Sequence, residues 1–217
     1  MTERMTPDKK LTILVSSTVF DYEELLDRIY TLLTRFGYEV WMSHKGTMPV
    51  FSTRSAFENC LVATDKCDLF LGIITPRYGS GICEDGLSIT HHELKKVIEL
   101  KKPRWILAHD HVFFARTFLN SLGFKGKTGR KKLPSLKKPI LDLRTIDMFE
   151  DATISKLSLE DRQGNWVQKF TSDPDAMLFA TAQFSRYQEV EAFIQENFRD
   201  LTHVSHVIQE GRGGHED

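Results

Sequence analysis

Apolar positions along the chain switch repeatedly between two periods. LTILVSST (11–18) is a short β-rich run ending in small hydroxyl residues. Behind it, Leu25, Leu26, Ile29, Leu32, Leu33 and Phe36 recur at helical spacing, with Gly37 placed to end that helix. YEVWM (38–42) predicts a second strand, and after a polar loop a second helix over about 55–66 carries Phe57, Cys60, Leu61 and Ala63. DLFLGIITP (68–76) is almost continuously apolar and stops at a proline, as a central strand covered on both faces would. A glycine-rich loop, RYGSGICEDGLS, leads to a helix beginning near Ser88, and RWILAHD (104–110) predicts a fourth strand. Beyond it, HVFFARTFLNSLGF reads as helical and KPILDLRTIDM predicts a fifth strand around Ile140–Ile146. Residues 152–170 read as an excursion turning at Gln163-Gly164-Asn165. The stretch 175–198 reads as one or two helices, the later one burying Val190, Phe193, Ile194 and Phe198.

Strands alternating with helices in this way predict βαβ units on a parallel sheet. The expected architecture is a flavodoxin-like, open, five-stranded α/β fold with helices on both faces and a helical C-terminal extension. The expected division is a flexible N-terminus (1–9), an α/β domain (10–150), an extension packed on it (151–200) and a flexible tail (201–217).

Composition changes this picture little. The chain has 217 residues, 41% of them hydrophobic and 27% charged, which is globular composition with enough length for a real core. Lys and Arg total 29 against 30 Asp and Glu, so no overall bias toward nucleic acid or anionic lipid exists. No apolar run reaches the ~18–20 residues of a membrane span, and MTERMTPDKK has no apolar signal-peptide core. Three cysteines without a CxxC favour reduced thiols and a cytoplasmic setting.

In sheets of this kind ligands bind at the carboxyl ends of the strands, where strand order reverses. That rule selects Ser16, Ser17 and Thr18, with Asp21 in the turn after them: they could cradle a ribose or phosphate, or simply cap the next helix. It also selects Arg77 and Tyr78 after the third strand, as a phosphate clamp and a stacking ring, or as ordinary edge residues. In SITHHELKKVIELKKP (88–103) the adjacent His91, His92 and Glu93 point about 100° apart on a helix, so they do not converge on a metal. Ser88 or Thr90 can cap this helix, Thr-x-x-Glu fits a capping box, and Glu93 would complement the dipole. KGKTGRKKLPSLKK (125–138) reads as a solvated basic loop; its GKT lacks the first glycine and the preceding strand of a phosphate-binding loop. His109-Asp110-His111 ends the fourth strand at the same sheet edge, as a site or as a satisfied surface cluster.

The order VSST-F-D, an apolar strand running into P-x-Y-G, then SIT-x-x-E and a KP before the next strand resembles a TIR-like domain family of unknown function found in STAND-type signalling proteins. The resemblance covers about residues 10–112. More distantly the chain is similar to TIR NADases and nucleoside 2-deoxyribosyltransferases, although it lacks the Trp-Cys pair of the former and the Gly-Thr-Ala of the latter. The resemblance implies that Glu93 is a catalytic carboxylate, with Ser16, Ser17, Asp21, Arg77, Tyr78, Ser88 and His92 around a nucleotide substrate. It implies NAD as substrate, cleaved or cyclised, with no cofactor and no metal. It also implies a homo-oligomer or a partner signalling protein, in bacterial stress or antiviral defence. Membrane and nucleic acid are not expected as partners. The alternatives are a non-catalytic self-association module and a deoxyribosyltransferase-like enzyme.

Overall fold

A computed structural model describes residues 10–79, 81–134 and 141–187. The readings of the N-terminus (1–9), of Val190, Phe193, Ile194 and Phe198, and of the tail fall outside these residues. Five strands form one all-parallel sheet: β1 (Thr12–Ser17), β2 (Glu39–Trp41), β3 (Leu69–Ile74), β4 (Arg104–His109) and β5 (Val167–Phe170), in the order β2-β1-β3-β4-β5. This is the flavodoxin-like order, whose reversal lies between β1 and β3. Seven α-helices are present among the described residues: α1 (Glu23–Arg35), α2 (Ala56–Lys66), α3 (Ile89–Glu99), α4 (Asp110–Ser121), α5 (Gly126–Arg130), α6 (Arg144–Ala152) and α7 (Asp173–Phe184).

The two-residue strand period sorts the core into two layers. Leu14, Phe70, Ile74, Ile106 and Ala108 face one side and pack with α2, α3, α4 and α6. Ile13, Val15, Leu69, Leu71, Ile73 and Leu107 face the other, against Leu25, Leu26, Ile29 and Leu33 of α1 and Ala176, Ala180 and Phe184 of α7. Every residue of β3 is buried, which explains its unbroken apolar run. Gly37, at φ 95°, does follow the end of α1. No helix among the described residues is long and apolar enough to cross a membrane.

The fifth strand corrects the sequence reading. Residues 144–152 are helix α6, which buries Thr145, Ile146, Met148, Phe149 and Ala152. A short apolar run does not distinguish strand from helix, and the Ile140–Ile146 window hid the longer helical spacing behind it. The actual β5 is a four-residue edge strand with one fully buried side chain, Phe170, inside the expected excursion. The boundary expected at 150 therefore falls within α6, and the segment beyond it supplies both a strand and a helix of the same domain.

The basic loop also differs from expectation. Gly126–Arg130 is a short helix, and Arg130 is buried, paired with Asp147 and with Glu150 at 2.7 Å from α6.

Candidate functional site

A cavity of about 1000 Å³ opens at the carboxyl ends of β1 and β3, where the strand order reverses. Its size is at the upper end of small-molecule sites. The floor comes from β1 and its exit, Leu14 to Phe20. One wall is the turn Pro76-Arg77-Tyr78-Gly79, and the opposite wall holds Met48, Ala56 and Cys60. The N-terminal end of α3 closes it with Ser88, Ile89, Thr90 and Glu93.

The two strand exits are tied together across the reversal point. The Thr18 and Thr75 hydroxyls hydrogen-bond at 2.6 Å, and whichever of them accepts can donate its own proton to the Arg77 carbonyl, 3.2 Å from Thr18 Oγ1 and 3.1 Å from Thr75 Oγ1. Gly79 completes this turn at φ 97°, where a Cβ would lie 3.1 Å from Thr18 Cγ2. Gly79→Ala is expected to cost about 1–3 kcal/mol through left-handed strain, measured as a lower urea midpoint with unchanged slope. An unshifted midpoint would show that the turn relaxes freely.

Glu93 is the centre of the site. It is 6% exposed, accepts a hydrogen bond from Ser16 Oγ at 2.5 Å and another from the Cys60 thiol, and lines the cavity. No cation pairs with it among the described residues. Burial pushes its carboxyl up to about 7, while the Ser16 and Cys60 hydrogen bonds pull in the opposite direction. Burial, with Glu93 beside it, likewise pushes the Cys60 thiol up to about 12, so Cys60 acts as a neutral donor. The dipole argument for an ionised Glu93 is thereby corrected. Ser88, not Thr90, is the N-cap, accepting from the His91 N–H at 3.2 Å; no Thr90–Glu93 box forms. Glu93 then lies in the second turn, beyond the dipole's reach, and desolvation dominates.

The other expected residues divide. Ser16, Ser17, Arg77, Tyr78 and Ser88 line the cavity with Glu93. Asp21 is set behind the wall at φ 69°, with its Oδ2 accepting from Arg77 Nε at 3.0 Å and Nη2 at 2.9 Å. Tyr78 is 3% exposed; its hydroxyl meets His91 Nδ1 at 2.6 Å and the Arg144 guanidinium lies 4.4 Å over its ring. It is a fixed wall and not a free stacking lid. His91 is buried between Tyr78 and Asp151, a structural role. His92 does not reach the cavity: it packs edge-on against Phe57 and bonds Asp85 at 3.2 Å. One residue step along the helix turns it away from Glu93 by the same 100° that ruled out shared metal ligation.

Residues the sequence reading missed are Cys60, Glu23 and Asp142. Cys60 lay on the apolar face of its helix, and only the fold reveals that this face ends against Glu93. The His109, Asp110 and His111 cluster keeps its ligand atoms within 4.8 Å of one another. His109 N-caps α4 there, and the cluster does not line the cavity.

A sequence comparison with curated proteins finds no match. A family model does match, over residues 12–163, a span that takes in four of the five strands and every cavity residue named above. The chain belongs to the family described as a domain of unknown function, DUF4062.

Proposed function

We propose that this protein is an N-glycosidase that cleaves or cyclises NAD or a related nucleotide, with Glu93 as its catalytic carboxylate. The observation that carries the reading is a buried carboxyl without a cationic partner on the wall of a ligand-sized cavity at the topological reversal point. Buried charges are ordinarily paired, and perturbed carboxyls cluster at functional sites. A substrate that brings or develops positive charge would supply the missing partner. The TIR-like resemblance of SITxxE adds to this, as does the Ser-rich exit of β1.

The chemistry balances with one carboxylate. The C1′–N bond breaks and its electron pair passes to the base nitrogen, so a pyridinium departs as a neutral base. The oxocarbenium-like ribose faces the ionised Glu93, which stabilises it. Water oxygen then bonds to C1′, and the proton it loses passes to the Glu93 carboxylate. In cyclisation a base nitrogen within the same nucleotide takes the place of water. Ser16 and Cys60 fix the carboxylate's orientation from behind.

The test is base release from NAD and a panel of nucleosides, followed chromatographically with wild-type protein and Glu93→Gln. Release by wild type alone supports the reading; release from neither, or equally from both, removes it. The ionised form being the active one, kcat/KM should rise with pH through about 7 and level off above it, falling ~10-fold per pH unit below. A profile that falls with rising pH would instead make Glu93 a proton donor.

A second reading, a self-association module, is favoured by α4. Phe114, Phe118 and Leu122 are each more than half exposed, and the two Phe rings stack at 5.9 Å. Under it Phe114→Asp converts an oligomer to a monomer in sedimentation and removes any dependence of the melting temperature on protein concentration. A wild-type monomer would discard it.

A further inference from the structure

The charges around the cavity narrow the substrate further, on the N-glycosidase reading above. Each base at the wall is already matched by an acid. Arg77 spends both Nε and Nη2 on Asp21, and Arg144 behind Tyr78 is held by Asp142 at 2.7 Å. Two carboxyls of the wall, Glu23 and Glu93, have no ion pair among the described residues. Glu23 opens α1, where flavodoxin-like folds could otherwise offer free N–H groups to a phosphate. The first turn of that helix carries Glu23 and Glu24, with Asp21 two residues before it, so acids already face the positive end of its dipole. At the α3 N-terminus, Ser88 already occupies the His91 N–H. Among the described residues a pyrophosphate would therefore meet two unpaired acids, Glu23 and Glu93, and arginines already engaged by Asp21 and Asp142, whereas a cationic ring would meet the charge it lacks.

From this arrangement we infer that the cavity takes a ribosylated cationic heteroaromatic base without a pyrophosphate, such as a pyridinium riboside, in preference to a dinucleotide. Glu23 and Glu93 attract the cationic ring, and Glu93 faces C1′ when the bond to the base nitrogen breaks. The base leaves neutral and water supplies the oxygen at C1′, so no co-reactant is needed.

The experiment compares kcat/KM for nicotinamide riboside and NAD in the full-length chain, at low and high ionic strength, with wild type and Glu23→Gln. Glu23 is exposed, so its replacement leaves the fold intact. The riboside is expected to be preferred by ~10-fold or more at low salt, and screening should shrink the preference. Glu23→Gln should narrow it several-fold, chiefly by raising KM for the riboside. Equal use of the two, or a preference for NAD, overturns this inference while leaving the N-glycosidase reading standing. Release from neither substrate overturns both.

Discussion

Glu93→Gln should stabilise the protein at pH 8 by about 3 kcal/mol and change its stability little at pH 4. The ordinary glutamate value is 4.5, and burial pushes Glu93 to about 7. Between those values the folded chain holds a proton that the unfolded chain has released, so stability falls as pH rises through this window. Above about 7 the folded protein carries an ionised carboxylate in a desolvated position, and the displacement corresponds to about 3 kcal/mol. Glutamine keeps the shape and the oxygen that accepts from Ser16, and it has no charge to bury. In a chain of this length the gain corresponds to roughly 6–12 °C in melting temperature. Thermal scans of both proteins at pH 4, 6 and 8 read it directly. Coincident melting curves across the range would show that Glu93 is not desolvated in the folded protein. A residue that destabilises its own fold when ionised is retained for a reason other than stability, which is why this measurement bears on function.

Arg130→Met should have an effect of similar size and opposite sign, a loss of about 3 kcal/mol. Arg130 is 5% exposed and joins α5 to α6 through Asp147 and both oxygens of Glu150, the latter at 3.1 and 2.7 Å. Removing it strands two largely buried carboxylates; Glu150 keeps Arg116 at 3.1 Å, but Asp147 keeps no ion pair among the described residues. Most of the cost is the stranded charge, not the lost attraction. Adding Asp147→Asn and Glu150→Gln to Arg130→Met should therefore recover most of the loss, as measured by denaturant unfolding. If the triple variant is no more stable than the single one, the loss comes from packing of the arginine stem instead.

These two residues also show what the sequence does and does not disclose. β1, α1 and β3 were legible because their apolar periods are long and their faces unambiguous. Even Leu32 and Phe36, at the margin of the α1 stripe, pack against the core. β5 was not legible, because an edge strand with one buried side chain carries almost no pattern, and α6 was masked by the apolar residues just before it. Arg130 sits in a run of lysines that reads as solvent-facing; only the approach of α6 makes it different from its neighbours. Within the site, the ligand edge could be located from the strand exits, and Glu93 was singled out by the resemblance of SITxxE. The state of Glu93 could not be read, because it depends on Ser16, 77 positions away, and on Cys60 from another helix. His92 failed for a local reason: one residue along a helix is enough to turn a side chain away from the cavity.

Base release in paired assays decides whether Glu93 is the carboxylate of an N-glycosidase, as proposed. Wild type and Glu93→Gln, both shown to melt cooperatively, are incubated at pH 7.5 with NAD and with nicotinamide riboside, and free nicotinamide is quantified over time. Wild type is expected to release nicotinamide from at least one substrate, and the variant at a rate lower by ~10³-fold or more. Equal rates in the two proteins, or no release by wild type from either substrate, would contradict it.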